Sequence, residues 1–278
     1  MGRMYEVYEG IITALTPIFH GGDEKTGSTP VLRTIYVSTD KYGIIPIPYI
    51  SGNSIRGRLR RLIIDDLLHL VGYELTNVKL HHVLYSGGIL ESGSETYAAI
   101  DLDLRRQVRN TLPPIALLGC AISNQMIPGI LQVAHMFPLC AEYAMYLPKK
   151  WQNHPNTRES VRVYTDESFI TRRDELRQER KEDEQAVQMK VNYECFIPGT
   201  KFYHQFILRM PTDIEKSCLG RMIALWNENP TIGGRSSSGD GRLRLEYDNL
   251  PAAEQYVEWV NKNAEQITAM LTTLEGLL

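Results

Sequence analysis

Arg56, Arg58, Arg60 and Arg61 crowd the start of a stretch whose apolar residues recur with helical spacing. Guanidinium groups present forked donors that match phosphate, so this cluster suits contact with a polyanion such as RNA. Ile55, Leu59, Leu62, Ile63, Leu67 and Leu70 fall at i, i+4, i+7 and i+8, one face of a helix, and the arginines lie largely off that stripe. Such a helix buries one side and offers its charges on the other. Ser51 or Asn53 is the expected N-cap, and Gly52 and Gly57 allow close backbone approach. Ser51, Asn53, Ser54 and the N–H groups of the first turn therefore belong with the arginines as anion contacts. The same charges also suit a plain solvated helix face.

Other reactive residue types are less organised. Cys120, Cys140, Cys195 and Cys218 lie far apart, and no pair has the two-to-four-residue spacing of a zinc knuckle. They read as buried thiols, and neither a metal nor another cofactor is expected. A site joining one of them to His81 and His82 is the alternative that spacing disfavours. Residues 232–245 form a glycine loop leading into an alternating strand, with Gly234, Arg235, Ser236, Ser237 and Ser238 at its tip. Its spacing is not that of a nucleotide-binding P-loop and also suits a plain tight turn.

With 278 residues, 43% of them hydrophobic, the chain can bury a substantial core. Its net charge of -3 excludes a protein coated in positive potential, so any polyanion must lie in a local basic groove. The sequence has no charged-then-apolar leader and no apolar run of the ~18 residues a membrane helix needs, so a soluble cytoplasmic protein without a membrane partner is expected.

The elements that must position the arginines follow from local pattern. Residues 5–18 read as a strand, 19–30 as a flexible surface loop, 32–38 as a second strand, and Gly72 as the end of the arginine helix. Between 74 and 123 the pattern is mixed, with a helix expected near 98–109 and an apolar stretch at 115–122. Residues 129–140 read as another strand between prolines. Residues 151–189 lose apolar side chains and crowd opposite charges together, so they should project from the body as a loop, a hairpin or a partly disordered insertion. A strand should then run to Met210, and Thr212 with Glu215 has capping-box spacing for a helix reaching Trp226. Residues 252–278 read as one final amphipathic helix. The order strand, helix, strand, insertion, strand, helix, glycine loop, strand predicts an α+β fold of RRM-like or ferredoxin-like kind carrying insertions, a frequent RNA platform.

The opening strand followed by His20-Gly21-Gly22, the Ile50-Ser51-Gly52-Asn53-Ser54-Ile55-Arg56-Gly57 element, residues 194–200 and the loop at 233–241 occur in an order that resembles the RAMP superfamily of CRISPR proteins. Within it the chain is most similar to the Cas-seven backbone subunits, and the segment Ile170-Thr171-Arg172-Arg173-Asp174 resembles those of type IV systems, with type III and type I-D relatives close. The resemblance covers nearly the whole chain. It implies a single domain over 1–278 with an RRM/ferredoxin-like palm core from 1–72 and 190–278. It further implies helical fingers and a returning strand over 73–150, and a thumb hairpin over 151–189. Arg56, Arg58, Arg60 and Arg61 would hold the backbone of a crRNA, with Arg172, Arg173 and the 234–238 loop adding contacts. Implied partners are crRNA, further copies in a head-to-tail helical filament, a Cas-five-like cap, a large or small subunit, and target nucleic acid reached through the guide.

Type III relatives cut RNA with an aspartate in a segment resembling Asp-Asn-Pro-Val. The matching residues here are Ser28-Thr29-Pro30-Val31, and a serine neither binds a divalent metal as a carboxylate does nor acts alone as a base. The expectation is a non-catalytic subunit. A metal-dependent endoribonuclease using Asp23, or a guide-processing subunit using His20, His81 or His82, are the competing readings.

Overall fold

The computed structural model describes residues 4–26, 29–88, 101–122, 125–172 and 189–278. The chain opens with β1 (Tyr5–Ala14), whose alternation puts Tyr8, Ile12 and Ala14 into the main core and Ile11 into a smaller apolar cluster on the other face. The expected loop over 19–30 is instead a hairpin of β2 (Gly21–Thr26) and β3 (Thr29–Leu32). Its glycine-rich and charged composition carries no apolar alternation, so pairing rather than burial defines it. β4 (Thr34–Thr39) pairs with β5 (Gly43–Pro48), a strand that Pro46 and Pro48 conceal from a propensity reading.

α1 (Gly52–Val71) starts at Ser51, whose side chain accepts the N–H of Ser54 at 3.3 Å, and ends at Gly72 in the left-handed region. Ile55, Leu59, Ile63 and Leu67 are fully buried, each contributing about 1.5–3 kcal/mol. α2 (Val78–His81), α3 (Leu102–Thr111) and α4 (Pro113–Leu118) follow, then the small hairpin of β6 (Cys120–Ile122) and β7 (Gln125–Ile127). The apolar stretch at 115–122 is thus a helix turning into a strand at Gly119. The strand expected at 129–140 is two short pieces, β8 (Leu131–Val133) and β9 (Phe137–Pro138), both paired to a later strand.

After α5 (Lys149–Gln152), residues 153–164 do not project. Thr157, Val161 and Tyr164 are buried, and Val161 and Tyr164 pack with Ile47 and Cys140. The projecting hairpin begins only with β10 (Thr165–Arg172), paired to β11 (Met189–Phe196). β12 (Lys201–Arg209) leads to α6 (Asp213–Glu228), which begins with the expected Thr212–Glu215 capping box. β13 (Leu243–Tyr247) follows the glycine loop. The final helix is two, α7 (Glu254–Lys262) and α8 (Ala264–Gly276), broken at Asn263, whose side-chain amide donates to the Trp259 carbonyl at 2.7 Å.

The central sheet has the order β13, β1, β12, β8, with β9 beside β12, and its neighbours are antiparallel. Along the chain these strands and the two helices that cover them come as β1, α1, β8, β9, β12, α6, β13. α1 and α6 pack together over one face, sharing a core with Ile12, Phe202, Phe206, Met222 and Trp226. The α+β expectation therefore holds at the level of a mixed fold with antiparallel sheets.

Candidate nucleic-acid interface

The exit of β1 is a meeting point. Ile18 pairs with Phe196, Phe19 pairs with Gly234, and His20 accepts the backbone N–H of Ser51 through Nε2 at 3.1 Å. Residues widely separated in sequence thus converge on residues 17–20. His20 can accept because it is neutral: burial, with the nearby Arg33 charge, lowers its pKa to about 4. His135 takes the next amide, accepting from Gly52 N–H at 2.9 Å, and burial lowers its pKa too. These first amides of α1, expected to face an anion, are capped by imidazoles. Gly52 is required here, since a Cβ would lie 2.3 Å from the Val133 carbonyl oxygen and 2.7 Å from that of Ala134.

The four arginines divide. Arg61 is exposed, while Arg58 is partly buried and donates to the Asn229 carbonyl at 3.2 Å. Arg56 donates to the carbonyls of Leu131, at 2.8 Å, and Leu118. Arg60 corrects the expectation of an outward charge: it is only 6% exposed and donates to Leu84, Leu118 and Gly119 carbonyls at 3.3, 2.9 and 2.8 Å. Desolvation lowers its pKa to about 10, yet it remains a cation. The carbonyls at the end of α4 have no partner within their own helix, and these two arginines supply the donors. Periodicity missed this because an arginine one position from the apolar stripe can turn its head inward when unpaired carbonyls wait there.

The glycine loop closes over the same segment. Gly234 N–H donates to Phe19 O at 2.9 Å and Gly241 N–H to Pro17 O at 2.7 Å. Arg235 adopts φ 65° and lays its guanidinium 3.9 Å from the Tyr193 ring centroid and 5.0 Å from that of Phe19. Tyr193 donates to Asp240 at 2.7 Å, fixing the base of the β10–β11 hairpin to the loop. Glu194 accepts Leu32 N–H at 2.8 Å and ties the same hairpin to β3. Ser236, Ser237 and Ser238 form an exposed turn. Arg172 ends β10, and Arg173 lies outside the described residues. Ser51 is buried, Ser54 partly buried and Asn53 exposed.

One feature escaped sequence reading. Tyr49, His135, Phe137, Tyr143 and Tyr146 form a ladder of rings beside the start of α1. Its centroid separations are 4.8 Å for Tyr49 and His135, 5.6 Å for Tyr49 and Phe137, 4.1 Å for Phe137 and Tyr143, and 5.4 Å for Tyr143 and Tyr146. His135 and Tyr146 are exposed. Aromatic faces of this kind accept unstacked bases without sequence preference. Only Tyr49 adjoins the helix in sequence, so no local signal groups them.

Among the described residues no cluster of His, Cys, Asp or Glu is placed to hold a metal ion. The four cysteines are free and buried, and burial pushes the thiols of Cys120 and Cys140 up to about 12. His81 and His82 are exposed, with His81 stacked on Tyr85 at 4.5 Å. Also among the described residues, no helix is long and apolar enough to cross a membrane.

No protein-family profile matches the sequence, and no curated protein matches it. Among solved structures the chain superposes on a chain described as "Type IV-B CRISPR Complex", with a TM-score of 0.63 and 22% identity. The two share a fold. The likeness covers 88% of this chain and 91% of that one.

Proposed function

We propose that this chain is a non-catalytic backbone subunit of a CRISPR ribonucleoprotein, one of many copies that line up along a crRNA and present it for pairing with a target. The observation that carries the reading is the convergence of residues 50–53, 193–196 and 233–241 on residues 17–20, in a chain sharing the fold of one from a Type IV-B CRISPR complex. With β1, β8, β12 and β13 numbered one to four, the sheet order 4-1-3-2 is that of a ferredoxin-like or RRM-like palm. The β10–β11 hairpin is the thumb in this reading, and residues 73–150 supply the fingers together with the returning strands of the palm, β8 and β9. Arg58, Arg61 and Arg235 with the serine turn hold guide phosphates, while the Tyr49 to Tyr146 ladder supplies faces for bases. Arg56 and Arg60 act from behind, fixing α4 and β8 to the helix that carries the contacts. Copies add head to tail through a heterologous contact, which gives an open helix. A cap subunit and a large or small subunit complete the particle in the type IV manner.

The test is expression of the protein alone, purification without nuclease treatment, and measurement of the absorbance ratio with electron micrographs. Copurifying RNA in regular filaments, lost in the Arg58→Ala/Arg61→Ala variant that still folds, is the expected result. A nucleic-acid-free monomer that ignores added guide RNA overturns the reading. Regularly spaced Mg²⁺-dependent cuts in a complementary RNA, abolished by Asp23→Ala, would instead make the chain an endoribonuclease.

A further inference from the structure

Remote from residues 17–20, at the end of the sheet where β1 begins and β12 stops, is a cavity of about 460 Å³. β1 spans 10 residues, so its two ends stand about 30 Å apart. Arg105, Arg106 and Arg109 from α3 and Arg209 from β12 line it, and among the described residues no carboxylate does. Arg109 is already ordered: Glu215 accepts from its Nε at 2.8 Å and from a terminal nitrogen at 3.2 Å. Among the described residues Arg106 pairs with Asp103, and both side chains are largely exposed to screening solvent. Arg105 and Arg209 have no ion-pair partner among the described residues, and the Nε of Arg105 is buried without a hydrogen bond. Ile127, Pro128 and Ile130 add an apolar surface to the lining, and Gln132 also lines it.

We propose that this cavity binds one nucleotide unit, with its phosphate on Arg105 and Arg209 and its base on the Ile127 to Ile130 wall. A bare carboxylate or phosphate would leave the apolar wall wet, whereas a nucleotide satisfies both surfaces and suits the volume. Planar guanidinium groups also stack on bases, so Arg106 can close over the ring. The site stands independently of the contacts around residues 17–20. The residues before Leu131 form its wall, while the Leu131 carbonyl accepts from Arg56, so the cavity and the arginine helix share one short segment.

The experiment is a titration of the full chain with AMP and with UMP, followed by saturation-transfer NMR, with inorganic phosphate as competitor. Saturable binding that phosphate competes away, weakened about tenfold by Arg105→Gln and by Arg209→Gln, is expected, since one charged hydrogen bond contributes about that factor. Arg58→Ala/Arg61→Ala must leave it unchanged, which separates this site from the guide contacts. A short single-stranded RNA that displaces AMP identifies the nucleotide as part of a strand, and failure to displace it identifies a free nucleotide. Thermal melts check that the variants fold, and Ile130→Ser provides a second probe from the apolar wall. No saturable binding, or equal binding by wild type and both glutamine variants, overturns the site. Guide RNA lost from the wild type while AMP still binds would overturn the backbone reading and leave this one standing.

Discussion

Replacing Arg60 by alanine separates a structural arginine from those proposed to contact RNA. Its guanidinium satisfies three carbonyls, of which Leu118 keeps Arg56 as a second donor. Leu84 and Gly119 lose this side-chain donor, at about 1–3 kcal/mol each if left unpaired. Removing the desolvated cation returns part of this, up to about 3 kcal/mol for a pKa that burial lowers to about 10. Loss of the packed stem adds about 1 kcal/mol. The net expectation is a loss of about 2 kcal/mol, read as a lower urea midpoint with an unchanged slope. Arg61→Ala, at an exposed position, should stay within about 0.5 kcal/mol of wild type. RNA binding by filter retention, at a temperature where both variants are folded, should fall for Arg61→Ala and remain nearly intact for Arg60→Ala. If Arg60→Ala instead keeps wild-type stability and loses RNA, its head turns outward and the assignment is wrong. A combined alanine variant of all four arginines would confuse unfolding with lost contact.

Gly52→Ala drives a methyl into the Val133 and Ala134 carbonyls and should cost about 1–3 kcal/mol by chemical denaturation; a neutral result would mean the helix start is looser than described. Arg235 combines a left-handed backbone with its ring contacts, so Arg235→Gly should be less destabilising than Arg235→Ala by about 1 kcal/mol while both weaken RNA binding equally. Equal stabilities would refute the strain. Burial lowers the pKa of His20 to about 4 and that of His204, fully buried on β12 between the Ala134 carbonyl and the Tyr247 hydroxyl, to about 3, so the unfolded chain takes up their protons first as pH falls. Their stability contribution is whole above about pH 6.5 and shrinks towards pH 4, by at most about 1.4 kcal/mol per pH unit for each group. Urea midpoints that do not fall between pH 6.5 and 5.5 would contradict this.

Local signals in the sequence carried far. Thr212 with Glu215, and Gly72 after an apolar stripe, declare helix ends through contacts within a few residues, and both ends are where the pattern puts them. The β2–β3 hairpin lacks apolar alternation, and the prolines of β5 argue against a strand unless its edge is free of obligatory donors. The break at Asn263 leaves the amphipathic pattern running on through it. In the candidate interface, the glycine loop and the arginine helix were visible. The fate of each arginine was not, because the Leu118 and Gly119 carbonyls that claim Arg60 are set by a distant helix end. The ring ladder was hidden for the same reason.

The meeting of residues 17–20 with residues 50–53, 193–196 and 233–241 also sets a clock. During synthesis the first of these segments emerges long before the last, and at ~5–20 residues per second the interval is about 10–40 s. Until Gly241 can donate to Pro17 and Arg235 can cover Tyr193, the nascent chain offers an arginine helix without its surrounding groove. On the proposed function, RNA capture then belongs to the finished polypeptide, and a truncated product from an interrupted ribosome would have little hold on a guide strand.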